Sequence, residues 1–171
     1  MKPFVVNVAD LVHRPGARRH EVRQGPIGEL EVSGSRVPAT AEVEVDTALE
    51  WVSEGILATG SAATQWQGEC RRCLTPVSGV VRAQFRELFE ASPTEGETYP
   101  LRHEYLDLEP LGRDAVLVEL PLAPLCRDDC RGLCPTCGVD RNASDCDCAS
   151  EERDPRWAAL DVLRDDPPAR N

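Results

Sequence analysis

The stretch AEVEVDTALEW, residues 41–51, alternates with a period of two residues between mainly apolar and mainly acidic positions, and it decides the first half of the fold. Apolar or hydroxyl side chains share one face, namely Val43, Val45, Thr47 and Leu49. Carboxylates lie on or near the opposite face, namely Glu42, Glu44, Asp46 and Glu50. This period of two residues predicts a half-buried antiparallel strand.

Similar alternation extends in both directions from this strand. FVVNV (4–8) and ELEVS (29–33) precede it, and a turn at Ser53–Gly55 follows it. Beyond the turn, ILATGSAATQWQGEC (56–70) and PVSGVVRAQFRELFEA (76–91) continue as strands. The second of these presents one apolar face, made by Val77, Val81, Ala83, Phe85 and Leu88. The pair Cys70 and Cys73 therefore falls at the turn between two strands.

Helical spacing begins after Tyr105. Four apolar residues three or four positions apart predict a short helix that ends before Pro121 and Pro124, namely Leu108, Leu111, Ala115 and Val118. A second helix is predicted at the C-terminus, where Asp154 is an N-cap, Pro155 is the first helical residue, and the apolar stripe is Trp157, Leu160 and Leu163. We therefore predict an α+β fold with a β-rich antiparallel first half, a short helix, a cysteine-rich zinc module and a C-terminal helix.

Three segments follow from these patterns. Residues 1–91 form a β-rich core, 92–104 form a mobile acidic loop, and 105–171 carry the short helix, the cysteines and the last helix. We expect them to make one integrated domain over 1–164, since 171 residues are enough for a single buried core.

The net charge of −11 argues against a protein that coats nucleic acid by bulk attraction. The charge is uneven, because residues 1–86 carry ten basic and ten acidic side chains and residues 87–171 carry the whole excess. Basic residues form two clusters in the neutral half, the first at Arg14, Arg18, Arg19 and Arg23, and the second at Arg71, Arg72, Arg82 and Arg86.

The eight cysteines are predicted to bind metal. The N-terminus has no hydrophobic run of signal-peptide length and no stretch is long enough to span a bilayer, so we expect a cytoplasmic, reducing location. LCPTCG has the spacing of a zinc knuckle, and Gly138 supplies a residue that tolerates positive φ. DCDC places two more thiols on one side of an extended segment. The first predicted zinc site is Cys134, Cys137, Cys146 and Cys148.

The other four cysteines form a possible second site. It comprises Cys70, Cys73, Cys126 and Cys130, and we expect it to join the β-rich half to the C-terminal module. The alternative is that these are ordinary buried or surface thiols. Iron–sulfur ligation is also chemically possible, although the glycine after the knuckle favours zinc. The expected cofactor is one or two zinc ions.

The sequence does not predict an enzyme. A thioredoxin-like CxxC requires a strand-to-helix context, whereas CRRC lies between strands. A zinc ion with four protein ligands has no open position for a water molecule. Walker, GxGxxG and GxSxG motifs do not occur.

The segments CRRCLTPV, DLEPLGRDAVLVELPLAPLC, CRGLCPTCGVDRNASDCDC and DPRWAAL together resemble the YceD family of large ribosomal RNA subunit accumulation proteins. The resemblance covers nearly the whole chain. It implies a noncatalytic role in synthesis, processing or stability of 23S rRNA in ribosome biogenesis. Some members lack most of the C-terminal cysteines, which implies that the zinc module here stabilises the fold.

Two kinds of partner fit this expectation. The chain binds rRNA or a ribosome-assembly protein, and no membrane or small-molecule substrate is expected. If RNA binding is direct, the eight clustered arginines are the candidate contacts. One alternative is an adaptor whose acidic half binds a basic partner without touching RNA, and another is a redox- or metal-responsive zinc protein.

Overall fold

The computed structural model describes residues 2–148, together with 156, 157 and 160. The chain separates into two compact units, Met1–Gly132 and Leu133–Asn171. In the described part, the first unit holds nine strands and one helix. They are β1 (Val5–Asn7), β2 (Arg18–Pro26), β3 (Leu30–Val32), β4 (Ser35–Val37), β5 (Glu42–Trp51), β6 (Ile56–Glu69), β7 (Pro76–Glu90), β8 (Tyr99–Arg102), β9 (Tyr105–Asp107) and α1 (Leu108–Glu119).

The strands form one sheet with the order β1-β9-β8-β7-β6-β4-β3, while β5 pairs with β6 and β2 pairs with β5. The hairpin of β6 and β7 is its longest element, since the two strands pair from Ile56–Phe89 to Glu69–Pro76. This hairpin carries the CRRC turn at its tip. It therefore places Cys70 and Cys73 at one end of the sheet.

The predicted faces of β5 are confirmed. Val43, Val45, Thr47 and Leu49 are fully buried, because this face of the sheet packs against the core. On β7, Val81, Ala83 and Phe85 are buried as predicted. Phe89 rather than Leu88 completes this face, since strict alternation from Phe85 reaches odd-numbered positions only.

The short helix is present, but one residue of its predicted buried face is wrong. Leu108 and Leu111 are buried, as is Val116, whereas Val118 is 84% exposed. The buried residues, which include Gly112, centre the buried face between positions 108 and 112, and position 118 lies beyond the edge of that face in the last turn of the helix. Asp107 caps the helix through a 3.0 Å hydrogen bond that its carboxylate accepts from the N–H of Glu109.

The described residues are richer in strand than the α+β prediction expected, with α1 as their one α-helix. β8 lies inside the stretch 92–104 that was interpreted as a loop, because Tyr99 and Leu101 turn inward and pair this short strand with β7 and β9. The predicted C-terminal helix lies mostly outside the described residues, including Asp154, Pro155 and Leu163. No α-helix in the described part is long and apolar enough to cross a bilayer.

Candidate metal centres

The structure brings together the two sets of cysteines that the sequence singled out. We call Cys70, Cys73, Cys126 and Cys130 the hairpin cluster, and Cys134, Cys137, Cys146 and Cys148 the C-terminal cluster. In each cluster the four sulfur atoms lie within 4.8 Å of one another. All eight cysteines are in the described part of the chain, and none of them forms a disulfide. Each cluster can therefore hold a metal ion.

Sulfur separations in the hairpin cluster match those of a metal tetrahedron. Cys70 Sγ lies 3.8 Å from Cys130 Sγ, and Cys73 Sγ lies 3.6 Å from Cys126 Sγ. Four sulfurs that surround a zinc ion at 2.3 Å are about 3.8 Å apart along each edge of the tetrahedron. A disulfide needs a separation of about 2 Å, so these distances fit a shared cation rather than a covalent bond.

The hairpin cluster is built from two distant parts of the first unit. Cys70 and Cys73 come from the turn between β6 and β7, while Cys126 and Cys130 come from the segment that follows α1. All four lie within Met1–Gly132, so the cluster connects the β-rich half to the segment after α1 inside one compact unit. The second pair lies far after the first in sequence. The helix α1 returns the chain to the hairpin tip, so the second pair lies beside the first within the same unit.

A tight backbone turn aims the first pair at a common point. The N–H of Cys70 donates to the carbonyl of Thr75 at 2.9 Å, and the N–H of Leu74 donates to the carbonyl of Cys70 at 2.9 Å. Leu74 has a φ of 61°, which is the left-handed region that favours glycine. A leucine here therefore holds the position that glycine occupies in an ordinary zinc knuckle.

The turn of the C-terminal cluster has the same hydrogen bonds. The N–H of Cys134 donates to the carbonyl of Val139 at 2.8 Å, and the N–H of Gly138 donates to the carbonyl of Cys134 at 2.9 Å. Gly138 has a φ of 74°, as the sequence predicted. Two turns of different sequence thus adopt one conformation, and each presents a pair of thiols.

Arg72 fixes the second half of the hairpin cluster. Its guanidinium donates to the carbonyls of Asp128 and Cys130 at 3.1 and 2.8 Å. The backbone N–H of Arg71 adds a bond to the carbonyl of Pro124 at 2.9 Å. These contacts hold the 124–130 segment against the CRRC turn, while Arg72 itself is exposed.

The two clusters differ in exposure. In the hairpin cluster Cys70, Cys73 and Cys130 are at most 8% exposed, although Cys126 is exposed. In the C-terminal cluster Cys134 is buried, Cys137 is exposed, and the remaining two cysteines are half-buried. Solvent therefore reaches more of the C-terminal cluster.

The thiols of the hairpin cluster differ in pKa because the four groups lie close together. Partial desolvation, followed by the neighbouring thiols of Cys130 and Cys73, raises the pKa of Cys126 to about 12. Burial also raises the pKa of Cys70, but hydrogen bonds from nearby backbone N–H groups, including that of Arg72, outweigh it and lower this pKa to about 6. Four thiolates this close repel one another, and a divalent cation removes that repulsion.

The C-terminal cluster shows the same division. Backbone N–H groups of Cys137 and Thr136 lower the pKa of Cys134 to about 6. Hydrogen bonding to Cys137, followed by desolvation, raises the pKa of Cys148 to about 12. Each cluster thus has at least one thiol whose pKa is lowered by hydrogen-bond donors and at least one whose pKa is raised by its neighbours.

Most of the first arginine cluster is paired with acidic side chains, of which Glu50 is distant in sequence. The ion pairs are Arg18–Glu50 at 2.9 Å, Arg19–Asp10 at 2.5 Å, Arg19–Glu21 at 2.8 Å and Arg23–Glu21 at 2.7 Å. Pairing of β2 with β5 brings Glu50 beside Arg18, a contact that local composition did not predict. Five candidates are exposed and have no ion pair with an acid among the described residues, namely Arg14, Arg71, Arg72, Arg82 and Arg86.

Comparison with known proteins gives the family. The family model described as large ribosomal RNA subunit accumulation protein YceD matches residues 58–164, which include the β6–β7 hairpin, α1 and both cysteine clusters. The chain belongs to the YceD family. A relative named as a large ribosomal RNA subunit accumulation protein YCED homolog, from the chloroplast of Arabidopsis thaliana, is 33% identical over 67 residues, covering 39% of this chain and 21% of that protein.

Longer matches come from mycobacteria. Uncharacterized proteins of Mycobacterium bovis and Mycobacterium tuberculosis are 40% identical over 167 residues, covering 92% of this YceD-family chain and 80% of each relative. An uncharacterized protein of Mycobacterium leprae is 33% identical over 177 residues, covering 98% and 81%. No solved structure matches the chain.

Proposed function

We propose that this chain is a noncatalytic cytoplasmic factor that promotes synthesis, processing or stability of 23S rRNA, and that it holds two zinc ions. The main support for this proposal is the family match over residues 58–164. The matched segment contains both cysteine clusters, and it also contains α1, which lies in sequence between the two cysteine pairs of the hairpin cluster. The names of the family and of the plant relative give its connection to large-subunit rRNA.

Zinc is the metal that best suits these clusters. Four thiolates in a tetrahedron are typical of a structural zinc site, and two CxxC turns supply half of the ligands. Four protein sulfurs leave no coordination position for water or substrate, which supports a noncatalytic role. In this proposal the metal in the hairpin cluster fixes the tip of the sheet, and the metal in the C-terminal cluster folds a small separate unit.

In this proposal, Arg71 is the residue that contacts RNA directly. Its side chain is exposed, and its backbone is anchored between the CRRC turn and the carbonyl of Pro124. A guanidinium held on a rigid turn loses little conformational freedom when it binds phosphate.

The decisive experiment compares the ratio of 23S to 16S rRNA in cells with and without the gene. We expect a selective fall in 23S rRNA that the intact gene restores and that a Cys70→Ser/Cys73→Ser variant restores poorly. A Cys146→Ser/Cys148→Ser variant separates the contribution of the C-terminal cluster. An unchanged ratio would refute the rRNA function, and the adaptor and metal-responsive alternatives would then take its place.

A further inference from the structure

One edge of β7 has no strand beside it over most of its length. β6 pairs with residues 76–89 of β7, but on the other side β8 pairs only with Phe89 and Glu90. Among the described residues, no hydrogen bond reaches the backbone of residues 76–88 from that side. Alternate N–H and C=O groups along about twelve residues therefore point to an unpaired edge.

Side chains beside this edge are exposed and basic. Val80 is 67% exposed, and Arg82 and Arg86 are also exposed. Their neighbours across the hairpin on β6 are Ala63 and Thr59, so no carboxylate compensates the two guanidiniums from that strand. Among the described residues, Arg82 donates one side-chain hydrogen bond, at 3.3 Å to the hydroxyl of Ser61. Two positive charges thus lie four residues apart on β7, in the part of the strand that has no neighbouring strand on the side away from β6.

A polypeptide fits this edge better than RNA does. The unpaired N–H and C=O groups repeat with the spacing of a β-strand, and only another extended backbone offers donors and acceptors at the same spacing. Antiparallel pairing of two β7 edges from two copies of the chain, centred on Gln84, is disfavoured. In that arrangement Arg82 of one copy lies opposite Arg86 of the other, and the like charges repel. The same arginines favour a strand that carries acidic side chains.

We propose that the free edge of β7 binds an extended acidic polypeptide segment by strand addition, with two carboxylates paired to Arg82 and Arg86. The two arginines are about 13 Å apart along the strand, so the matching carboxylates are also four residues apart in the partner. This inference goes beyond the proposed function, because it assigns the chemistry of a protein partner and the surface that receives it.

The test uses the full-length, metal-loaded protein and labelled synthetic peptides. The probe is Thr-Glu-Val-Thr-Val-Glu-Val-Thr, and its matched control has lysine in place of both glutamates. Fluorescence anisotropy should show about tenfold tighter binding of the glutamate peptide, because opposite charges across a strand pair attract and like charges repel. Amide hydrogen exchange should slow within residues 76–88 when that peptide binds.

Charge-reversal variants decide whether the arginines select the partner. Arg82→Glu/Arg86→Glu should reverse the preference, so that the lysine peptide binds more tightly. Arg14→Glu/Arg102→Glu makes the same change in net charge at exposed residues elsewhere and should leave the preference unchanged. Equal binding of both peptides, or slowed exchange outside β7, would overturn the proposal. So would an oligouridylate that binds Arg82 and Arg86 while the glutamate peptide does not. Each of these results leaves the rRNA function intact, since the ratio of 23S to 16S rRNA tests that separately.

Discussion

Leu74 and Gly138 occupy the same position in two turns of different sequence. Each follows the second cysteine of a CxxC pair, has positive φ (61° and 74°), and donates its N–H to the carbonyl of the first cysteine at 2.9 Å. Glycine adopts this conformation without steric cost, whereas a side chain with a Cβ costs about 1–2 kcal/mol. The hairpin turn is therefore strained where the C-terminal turn is relaxed.

Replacing Leu74 with glycine should stabilise the protein. The change removes the strain at positive φ and loses little packing, because Leu74 is 57% exposed. The greater freedom of glycine in the unfolded chain offsets part of the gain, so we expect a net increase of about 1 kcal/mol in the free energy of unfolding. Denaturant unfolding of the zinc-loaded protein measures it. Leu122→Gly is the matched control, since Leu122 is 67% exposed and has no positive φ, and it should be neutral or destabilising.

Sequence patterns were sufficient where the determinants were local. Strict alternation predicted the buried face of β5, and CxxC spacing predicted both turns. β2 was missed because charged residues fall on both of its faces, as in Arg18, Arg19 and Glu21, so no apolar alternation marks it. β2 is defined by its pairing with β5, which places Glu50 opposite Arg18.

Tertiary contacts account for the other differences. Gly112 lies within α1 and would bring a Cβ to 2.9 Å from Cγ2 of Val45, so a small residue is needed where helix and sheet come close. No local signal distinguishes this glycine from a helix breaker. The hydrogen bonds of Arg72 likewise depend on carbonyls more than fifty residues away, at Asp128 and Cys130.

The corrected face of α1 can be checked with two matched valine substitutions. Val116 is fully buried, and its truncation to alanine removes two methyl groups from the core, so we expect a loss of about 2 kcal/mol in unfolding free energy. Val118 is 84% exposed, and Val118→Ala should change the stability by less than about 0.5 kcal/mol. Equal losses in the two variants would contradict the burial pattern of the helix.

Metal analysis should find two zinc ions per chain in protein purified without chelator. Cys70→Ser and Cys146→Ser should each retain one equivalent, because each removes a ligand from a different cluster. Zinc binding to such sites contributes folding free energy on the order of 10 kcal/mol. Loss of the hairpin site should therefore accelerate amide exchange along β6 and β7, whereas Cys146→Ser should leave that exchange unchanged. A metal-free protein with the same exchange pattern would refute both sites.

Zinc should leave the C-terminal cluster first. Cys137 is exposed and Cys146 is half-buried, whereas Cys70 and Cys130 are at most 3% exposed, so a chelator gains access to the C-terminal ligands more easily. Release to a chromogenic chelator should be biphasic, and Cys146→Ser should abolish the fast phase. Loss of the slow phase in that variant would reverse the assignment.

Arg72 should control how tightly the hairpin cluster retains its metal. Arg72→Ala removes the two hydrogen bonds to the carbonyls of Asp128 and Cys130, each from a charged donor, and we expect a cost of about 1–3 kcal/mol. The slow phase of zinc release should become faster. Arg71→Ala is the control, because only its backbone contacts the same segment. Similar rates in the two variants would show that the guanidinium of Arg72 does not hold this loop.

Arg71 should be the arginine of the CRRC turn that contacts RNA. Arg71→Glu keeps the backbone bond to Pro124 and reverses an exposed charge, so the fold should persist while RNA crosslinking in cells falls about tenfold, as expected for loss of a charged hydrogen bond to phosphate. Arg102→Glu makes the same charge change at another exposed site, and Arg23→Ala removes an arginine already paired with Glu21. Neither should alter crosslinking strongly. Undiminished crosslinking of Arg71→Glu would remove this contact and favour an adaptor that reaches rRNA through a protein.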